Sequence, residues 1–242
     1  MKKRFLILVL SLFGATSALA ENNDFLTDYS NLENVEGGKF VEKLFLVPNA
    51  VQRLADYDSI MVDQPEIFIA SDSKYKGAKG DQLKALADVA RLSTIERLEA
   101  GGFNVVDQPG SDTLYMHWAI TDLYLQKKKR GILSFTPVGM VVHATKGAAT
   151  RDLWKKIDIA ELSLEIEITD VVTGEVLAAA VTQQQGFRKQ KGQKADIVSW
   201  QELDALFETV GERVRCNLSN AGRAEQGWQD CAAIWIEPEV AE

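Results

Sequence analysis

The sequence predicts an α+β fold, with a mixed, mostly antiparallel sheet of about five strands packed against two long amphipathic helices. Apolar and polar residues alternate over residues 161–168, which is typical of a half-buried strand. Residues 81–100 and 199–215 instead repeat apolar residues at helical spacing. Because no Pro- or Gly-rich linker divides the chain, we expect a single α+β domain over residues 21–242, opened by an extended lead-in over residues 21–57.

The first half of the chain combines strands with one helix. A stripe of apolar residues predicts the helix, which Asp81 can cap and which ends at Gly101 and Gly102. Strand-like segments surround it, at residues 59–62, 67–69, 103–106 and 114–125. A helix between two strands predicts a β-α-β crossover, which is right-handed if the strands are parallel.

The second half of the chain predicts a hairpin and a final helix. The alternating strand is followed by a turn at Thr173 and Gly174 and by a returning strand at residues 176–181. Ser199 and Glu202 have the spacing of a capping box at the start of the helix. One helix face collects the apolar residues Leu203, Phe207, Val210 and Val214.

The first 20 residues have the pattern of a secretory signal peptide. Three basic residues precede the apolar run of residues 5–13, which only Ser11 interrupts. The small residues Ala18 and Ala20, at −3 and −1, predict cleavage after Ala20. Because no cysteine stands near position 21, we expect a protein exported to the periplasm without a lipid anchor. No later stretch has the length and apolarity of a transmembrane helix.

The charge balance argues against nucleic-acid binding. The chain contains 27 Lys and Arg against 35 Asp and Glu, a net charge of −8. Removal of the signal peptide leaves 24 basic residues and a net charge of −11. A general nucleic-acid binder requires a basic surface, so we expect no nucleic-acid partner.

The two cysteines predict a disulfide. In an exported protein, Cys216 and Cys231 most simply pair with each other. The two histidines lie far away in sequence, which argues against a metal site. The disulfide would attach a C-terminal tail, within residues 216–242, to the end of the last helix.

Motifs for catalysis are missing from the sequence. It contains no nucleophile elbow, zinc-protease motif or Gly-rich phosphate loop, and we expect no cofactor. Glu161, Glu165 and Glu167 share one face of the alternating strand. They are compatible with a cation site or with the solvated side of the strand, and we expect the solvated side.

Two basic segments each follow a strand and together hold eight basic side chains. They are candidates for an anion-binding or envelope-binding surface, although Lys-rich loops are also common as solvated connections. If the strand ends meet, the two segments would form one basic face. Their members are Lys127, Lys128, Lys129, Arg130, Arg188, Lys189, Lys191 and Lys194.

A series of short motifs resembles the bacterial domain-of-unknown-function family 3313. These motifs lie at residues 25–32, 48–50, 57–63, 102–107, 119–123 and 168–177, in the family's order. The resemblance covers most of residues 24–215. It implies export by a bacterium, often as a lipoprotein, whereas this chain lacks the lipid-accepting cysteine. Because the family has no established activity, the resemblance assigns no catalytic residues to this chain.

These observations favour a non-enzymatic accessory or binding protein of the cell envelope. Its partner would be an envelope protein, an anionic lipid or an envelope polymer. Two alternatives remain open. One is an envelope hydrolase that uses a pair of carboxylates brought together by the fold, and the other is a carrier of a small ligand. A deep cleft with facing buried acids would favour the hydrolase, and an apolar pocket would favour the carrier.

Overall fold

A computed structural model describes residues 25–36, 40–127, 157–182, 185–186, 200–221 and 229–237. The expected signal peptide lies outside these residues. The strands are β1 (Glu33–Asn34), β2 (Val41–Leu46), β3 (Ser59–Val62), β4 (Glu66–Ile69), β5 (Asn104–Val105), β6 (Thr113–Lys127), β7 (Ile157–Asp170), β8 (Val176–Thr182) and β9 (Gln185–Gly186). The helices are α1 (Ala50–Leu54), α2 (Gly80–Ala100) and α3 (Trp200–Asn220), followed by a 3₁₀ turn at Cys231–Ala233.

All strands of the described residues belong to one mixed sheet. Its main path has the order β1-β2-β8-β7-β6-β3-β5, while β4 also pairs with β6 and β9 with β7. The expectation of about five strands is met only roughly, because the sheet of the described residues has nine. Two of the strands that were not predicted, β1 and β9, are two residues long, which is too short to show a period in sequence. The lead-in contributes β1, β2 and α1.

Both kinds of strand pairing are present. β6, β7 and β8 form an antiparallel centre, in which β6 and β7 are 15 and 14 residues long. β3 and β4 pair with β6 in parallel, and β5 pairs with β3 in parallel. The chain reaches β5 from β4 through α2, so the crossover expected from sequence is present.

The two long helices cover one face of the sheet. Phe207 of α3 is fully buried and packs its ring edge-to-face against Trp118 of β6, with ring centroids 6.5 Å apart. The helices run in parallel, because Ser93 of α2 donates a hydrogen bond of 2.7 Å to Asp204, and Arg97 pairs with Glu208. Of the helices in the described ranges, none has the length and apolar composition that a bilayer span requires.

Gly211 allows the two long helices to approach closely. A Cβ atom at this position would lie 2.8 Å from the backbone oxygen of Thr94, well inside van der Waals contact. At the other end of α2, the helix begins at Gly80, one residue before the expected cap Asp81. The side chain of Gln82 accepts a hydrogen bond of 3.0 Å from the backbone N–H of Lys79 and closes the first turn.

A β-bulge in β6 keeps apolar residues on the helix-covered face along the whole strand. Up to Ile120 the even-numbered residues face the helices, and beyond the bulge Leu123 and Leu125 do so. Asp122 lies in the bulge with φ of 49°, a left-handed conformation that Asp adopts more readily than most residues. The extra residue reverses the alternation of the strand.

The disulfide between Cys216 and Cys231 connects α3 to the described part of the tail. The two Cα atoms are 5.6 Å apart. Beyond the disulfide, the guanidinium of Arg213 donates to the backbone oxygen of Ile234, and the N–H of Ile236 donates to Thr209 Oγ1 over 3.0 Å. The tail therefore lies along α3.

Candidate functional site

The sheet face opposite the helices, here called the outer face, carries three glutamates. In the register of β6 and β7, Glu167 is opposite His117 and Glu165 is opposite Ala119. These positions alternate with Trp118, which packs on α3. Glu161, Glu165 and Glu167 therefore project from the outer face of the sheet.

The expectation that these glutamates face solvent is wrong. Glu161, Glu165 and Glu167 are 6%, 7% and 5% exposed. Residues 25–29, here called the N-terminal strap, lie across the outer face and form part of the cover over Glu165 and Glu167. The strap precedes these glutamates by more than 130 residues in the chain. Leu26 of the strap is itself buried.

Hydrogen bonds from the strap satisfy two of the buried carboxylates. Thr27 donates its backbone N–H to Glu167 Oε2 and its hydroxyl to Glu167 Oε1, each over 2.9 Å. The hydroxyl of Tyr29 donates to Glu165 Oε2 and accepts the backbone N–H groups of Phe25 and Leu26 over 3.0 and 3.1 Å. The strap thus forms a compact turn closed by its own tyrosine.

Burial changes the protonation behaviour of this contact. It raises the pKa of the Glu165 carboxyl, an effect that the hydrogen bond from Tyr29 opposes and the negative charge of Asp122 reinforces. Burial, together with the hydrogen bond to Glu165, raises the pKa of Tyr29 to about 12. Tyr29 therefore remains a hydrogen-bond donor at any physiological pH.

Aromatic contacts hold the first residue of the strap. The ring of Phe25 lies 4.4 Å from that of His117 and meets Phe68 edge-on at 6.2 Å. His117 Nε2 is 3.5 Å from Glu66 Oε1, and the His117 ring stacks on that of Tyr115. His117 thus forms part of the surface on which the strap is seated.

This arrangement fixes the strap over Glu165 and Glu167. Glu165 and Glu167 receive their hydrogen bonds from protein groups, and residues 25–29 cover them. Among the described residues, no group of three His, Cys, Asp or Glu side chains has a geometry suited to a metal ion. Glu165 and Glu167 therefore act as buried anchors for the N-terminal strap.

The topology brings the starting points of the two basic segments to one end of the sheet. β6 and β9 both run antiparallel to β7 on opposite sides of it, so they run in the same direction. β6 ends at Lys127 beside Ile157, and β9 ends at Gly186 beside Glu161. The other candidate residues, Lys128, Lys129, Arg130, Arg188, Lys189, Lys191 and Lys194, lie outside the described residues.

A third lysine-bearing segment at this end was missed in the sequence. The loop at residues 70–79 connects β4 to α2, and the backbone N–H of Tyr75 donates a hydrogen bond of 3.0 Å to the oxygen of Leu125, near the end of β6. Lys74, Lys76 and Lys79 in this loop are exposed. Three lysines in ten residues were visible in sequence, but only the pairing of β4 with β6 shows where they lie. We call this end of the sheet the basic end.

The opposite end of the sheet is acidic. It contains the residues before β3, the residue before β6 and the turn between β7 and β8. Tyr57 donates a hydrogen bond of 2.6 Å to Asp170, which, with backbone N–H donors of the turn, lowers the pKa of Asp170 to about 2. Arg53 forms a two-bond ion pair with Glu175. The acidic residues are Asp56, Asp58, Asp112, Asp170 and Glu175.

A small pocket lies near the acidic end, between α1, β3 and the last turn of α3. Its volume is about 110 Å³, and its lining includes Leu54, Tyr57, Phe103 and Leu218. Ligand pockets for small organic molecules usually have volumes of ~300–1,000 Å³. This pocket is therefore too small for a typical carried ligand.

The order of the sequence motifs agrees with a known family. Residues 21–214 match the family described as Protein of unknown function (DUF3313). The chain belongs to this family. Among curated protein sequences, none matches the chain.

Solved structures with a related arrangement are distant in sequence. PelC from Paraburkholderia phytofirmans, solved as a dodecamer, is 14% identical; the match covers 75% of this chain and 96% of the PelC chain with a TM-score of 0.37. A neuraminyllactose-binding hemagglutinin homolog from Helicobacter pylori is 10% identical, with coverages of 71% and 84% and a TM-score of 0.30. TM-scores this low support no inference about function.

Proposed function

We propose that this protein is an exported, non-enzymatic binding protein of the bacterial cell envelope, whose basic end binds an anionic envelope surface. The signal-peptide pattern of residues 1–20 supports export to the periplasm, and the absence of a cysteine near position 21 supports a free protein. The disulfide between Cys216 and Cys231 is consistent with an oxidising compartment.

The shared direction of β6 and β9 carries this proposal. Because both strands leave β7 at the same end, the residues that directly follow them start on one side of the molecule. Those residues include the basic clusters at 127–130 and 188–194. The strand register therefore supports one basic end in preference to two separate solvated loops.

The charge of the opposite end favours a defined orientation. A protein with a net charge of −11 after export is repelled by anionic lipids and polymers as a whole. Lysines at one end and carboxylates at the other turn this repulsion into a torque that directs the basic end toward the surface. Both long helices also begin at the basic end, so their dipoles have the same direction.

The geometry supports the two alternatives less well. A hydrolase with a carboxylate pair needs acids that face a substrate cleft, whereas Glu165 and Glu167 are covered and hydrogen-bonded by the strap. For a small-ligand carrier, the pocket beside Tyr57 in the described residues is smaller than the cavities that such ligands usually occupy.

Binding to anionic vesicles and to purified envelope tests the proposal. Replacing Lys127, Lys128, Lys129 and Arg130 by Gln should weaken binding by more than about a hundredfold at low salt, because each charge near such a surface contributes about 1 kcal/mol and every ~1.4 kcal/mol is a factor of ten. The melting temperature should stay nearly unchanged, and added salt should reduce the difference.

A control variant with the same change of net charge separates local from overall electrostatics. Gln52→Glu, Asn104→Asp, Ser111→Asp and Val172→Glu also lower the net charge by four, at exposed positions near the acidic end. This control should retain most of the binding. Wild-type protein that ignores both anionic vesicles and envelope at low salt would contradict the proposal.

A further inference from the structure

We infer that the loop at residues 70–79 is a third arm of the basic end, and that its lysines bind the phosphate groups of an anionic phospholipid bilayer. This inference rests on the proposed function and adds residues and a ligand class to it. It depends on described residues, on their attachment to β6 and on their charge.

The loop is firmly attached to the end of β6. Ser73 is 4% exposed, and its hydroxyl both accepts a hydrogen bond of 2.9 Å from the N–H of Leu125 and donates one of 3.0 Å to the oxygen of Leu125. Tyr75 donates its backbone N–H to the same oxygen. Leu125 is two residues before Lys127, so the loop is held next to the first basic segment.

The loop carries positive charge that is available at the surface. It contains three lysines and one acidic residue, Asp72. Lys74 and Lys79 are exposed, and the exposed Lys76 is folded back, with its Nζ donating a hydrogen bond of 3.1 Å to the oxygen of Ala70. The attached loop thus presents positive charge without a pocket around it.

The arrangement of the three segments favours a flat lipid surface. The loop at 70–79 follows β4, and the segments at 127–130 and 188–194 follow β6 and β9. Because β7 lies between β6 and β9, the three points of origin span a width of four strands. A planar surface can approach the ends of β4, β6 and β9 at once, whereas a single polymer strand would pass them in turn. Lysines act as point charges, which suits many dispersed phosphates better than one shaped ligand.

Vesicle co-sedimentation of the mature protein tests this inference. The variant carries Lys74→Gln, Lys76→Gln and Lys79→Gln, and the control with the same change of net charge carries Gln52→Glu, Asn104→Asp and Ser111→Asp. The probes are vesicles of phosphatidylcholine with phosphatidylglycerol, vesicles of phosphatidylcholine alone, and soluble polyglutamate as a polyanion. We expect the lysine variant to bind the anionic vesicles roughly a hundredfold more weakly than wild type, with the control much less affected.

A second variant guards against a folding defect. Lys74→Gln with Lys79→Gln leaves the hydrogen bond of Lys76 intact, so it should keep the wild-type melting temperature and still lose several-fold in vesicle affinity. An affinity equal to wild type in both loop variants would overturn the inference.

The remaining outcomes separate this inference from the proposed function. If the loop variants bind like wild type while the variant at residues 127–130 loses binding, the inference about the loop is wrong and the proposed function stands. Wild-type protein that binds polyglutamate and envelope but not anionic vesicles would exclude the lipid as the ligand. Wild-type protein that binds none of these materials would overturn both.

Discussion

Thr27 binds the carboxylate of Glu167 through two hydrogen bonds of 2.9 Å, one from its backbone N–H and one from its hydroxyl. The two residues are 140 positions apart in the chain. A buried carboxylate without donors is costly, because ionised groups lose their hydration when a protein folds. Without the strap, Glu167 would lack these two hydrogen-bond donors.

Thr27→Ala should lower the free energy of unfolding by about 1–3 kcal/mol, because it removes a hydrogen bond to a buried charged group. Ser30→Ala is the matched control, since its hydroxyl bonds the exposed Asp28 over 2.7 Å. The control should change stability by less than about 0.5 kcal/mol. Urea unfolding measures both, and equal effects would contradict the role of Thr27.

Glu165→Gln should change the pH dependence of stability. Because burial raises the pKa of Glu165 above its ordinary value of 4.5, ionisation costs more in the folded state, and this group's contribution declines as pH rises through the folded pKa. Glutamine does not titrate, so its contribution to stability does not decline as pH rises. The stability of the variant relative to wild type should therefore increase from below pH 4.5 to neutral pH.

Tyr29→Phe should have the opposite effect, because the hydrogen bond from Tyr29 lowers the pKa of Glu165. Without it, the stability relative to wild type should fall as the carboxyl ionises. Urea unfolding across this pH range measures both variants. If the difference in stability between Glu165→Gln and wild type does not vary with pH, burial does not raise the pKa of the Glu165 carboxyl.

Tyr57→Phe should destabilise the protein within a limited pH window. The pKa of Asp170 falls from 3.8 to about 2, so the stability from this contact is present above pH 3.8 and is lost as pH falls toward 2. Burial and the bond to Asp170 raise the pKa of Tyr57 from 10 to about 12, so the contact is also lost as pH rises through that range. The difference in melting temperature between variant and wild type should be largest between these limits. A constant difference would contradict the contact.

Material from the periplasm should contain no free thiol. A disulfide that closes a loop of about 15 residues contributes roughly 3 kcal/mol in the chain-entropy model, so a variant with both cysteines replaced by serine should lose about that amount. Thiol titration of denatured, unreduced protein measures the redox state. Two reactive thiols per chain would show that Cys216 and Cys231 are not paired there.

Phe207→Ala should cost about 3–5 kcal/mol, since the ring is fully buried against Trp118. Leu92→Ala on α2 is the control, because that side chain is 38% exposed. It should cost clearly less. Thermal unfolding compares the two, and a melting temperature of Phe207→Ala equal to wild type would contradict the packing of α3 on the sheet.

The sequence alone predicted the parts of this fold that have a strong local period. Hydrophobic alternation located β7, and a helical stripe located α3 with Leu203, Phe207 and Val210 on its buried side. The presence of only two cysteines, together with the signal-peptide pattern, was enough to predict the disulfide. These features depend on neighbouring residues or on composition, so they can be recognised without knowledge of the tertiary structure.

Only the tertiary structure decided what covers the polar face of β7 and which loops share an end of the sheet. Alternation separates two faces of a strand, but it does not show that a segment 140 residues away will supply donors to Glu167. In the same way, three lysines within residues 70–79 are visible in the sequence, but only the pairing of β4 with β6 locates them near the end of β6. Both outcomes depend on contacts between distant parts of the chain, which strand register determines and local sequence does not encode.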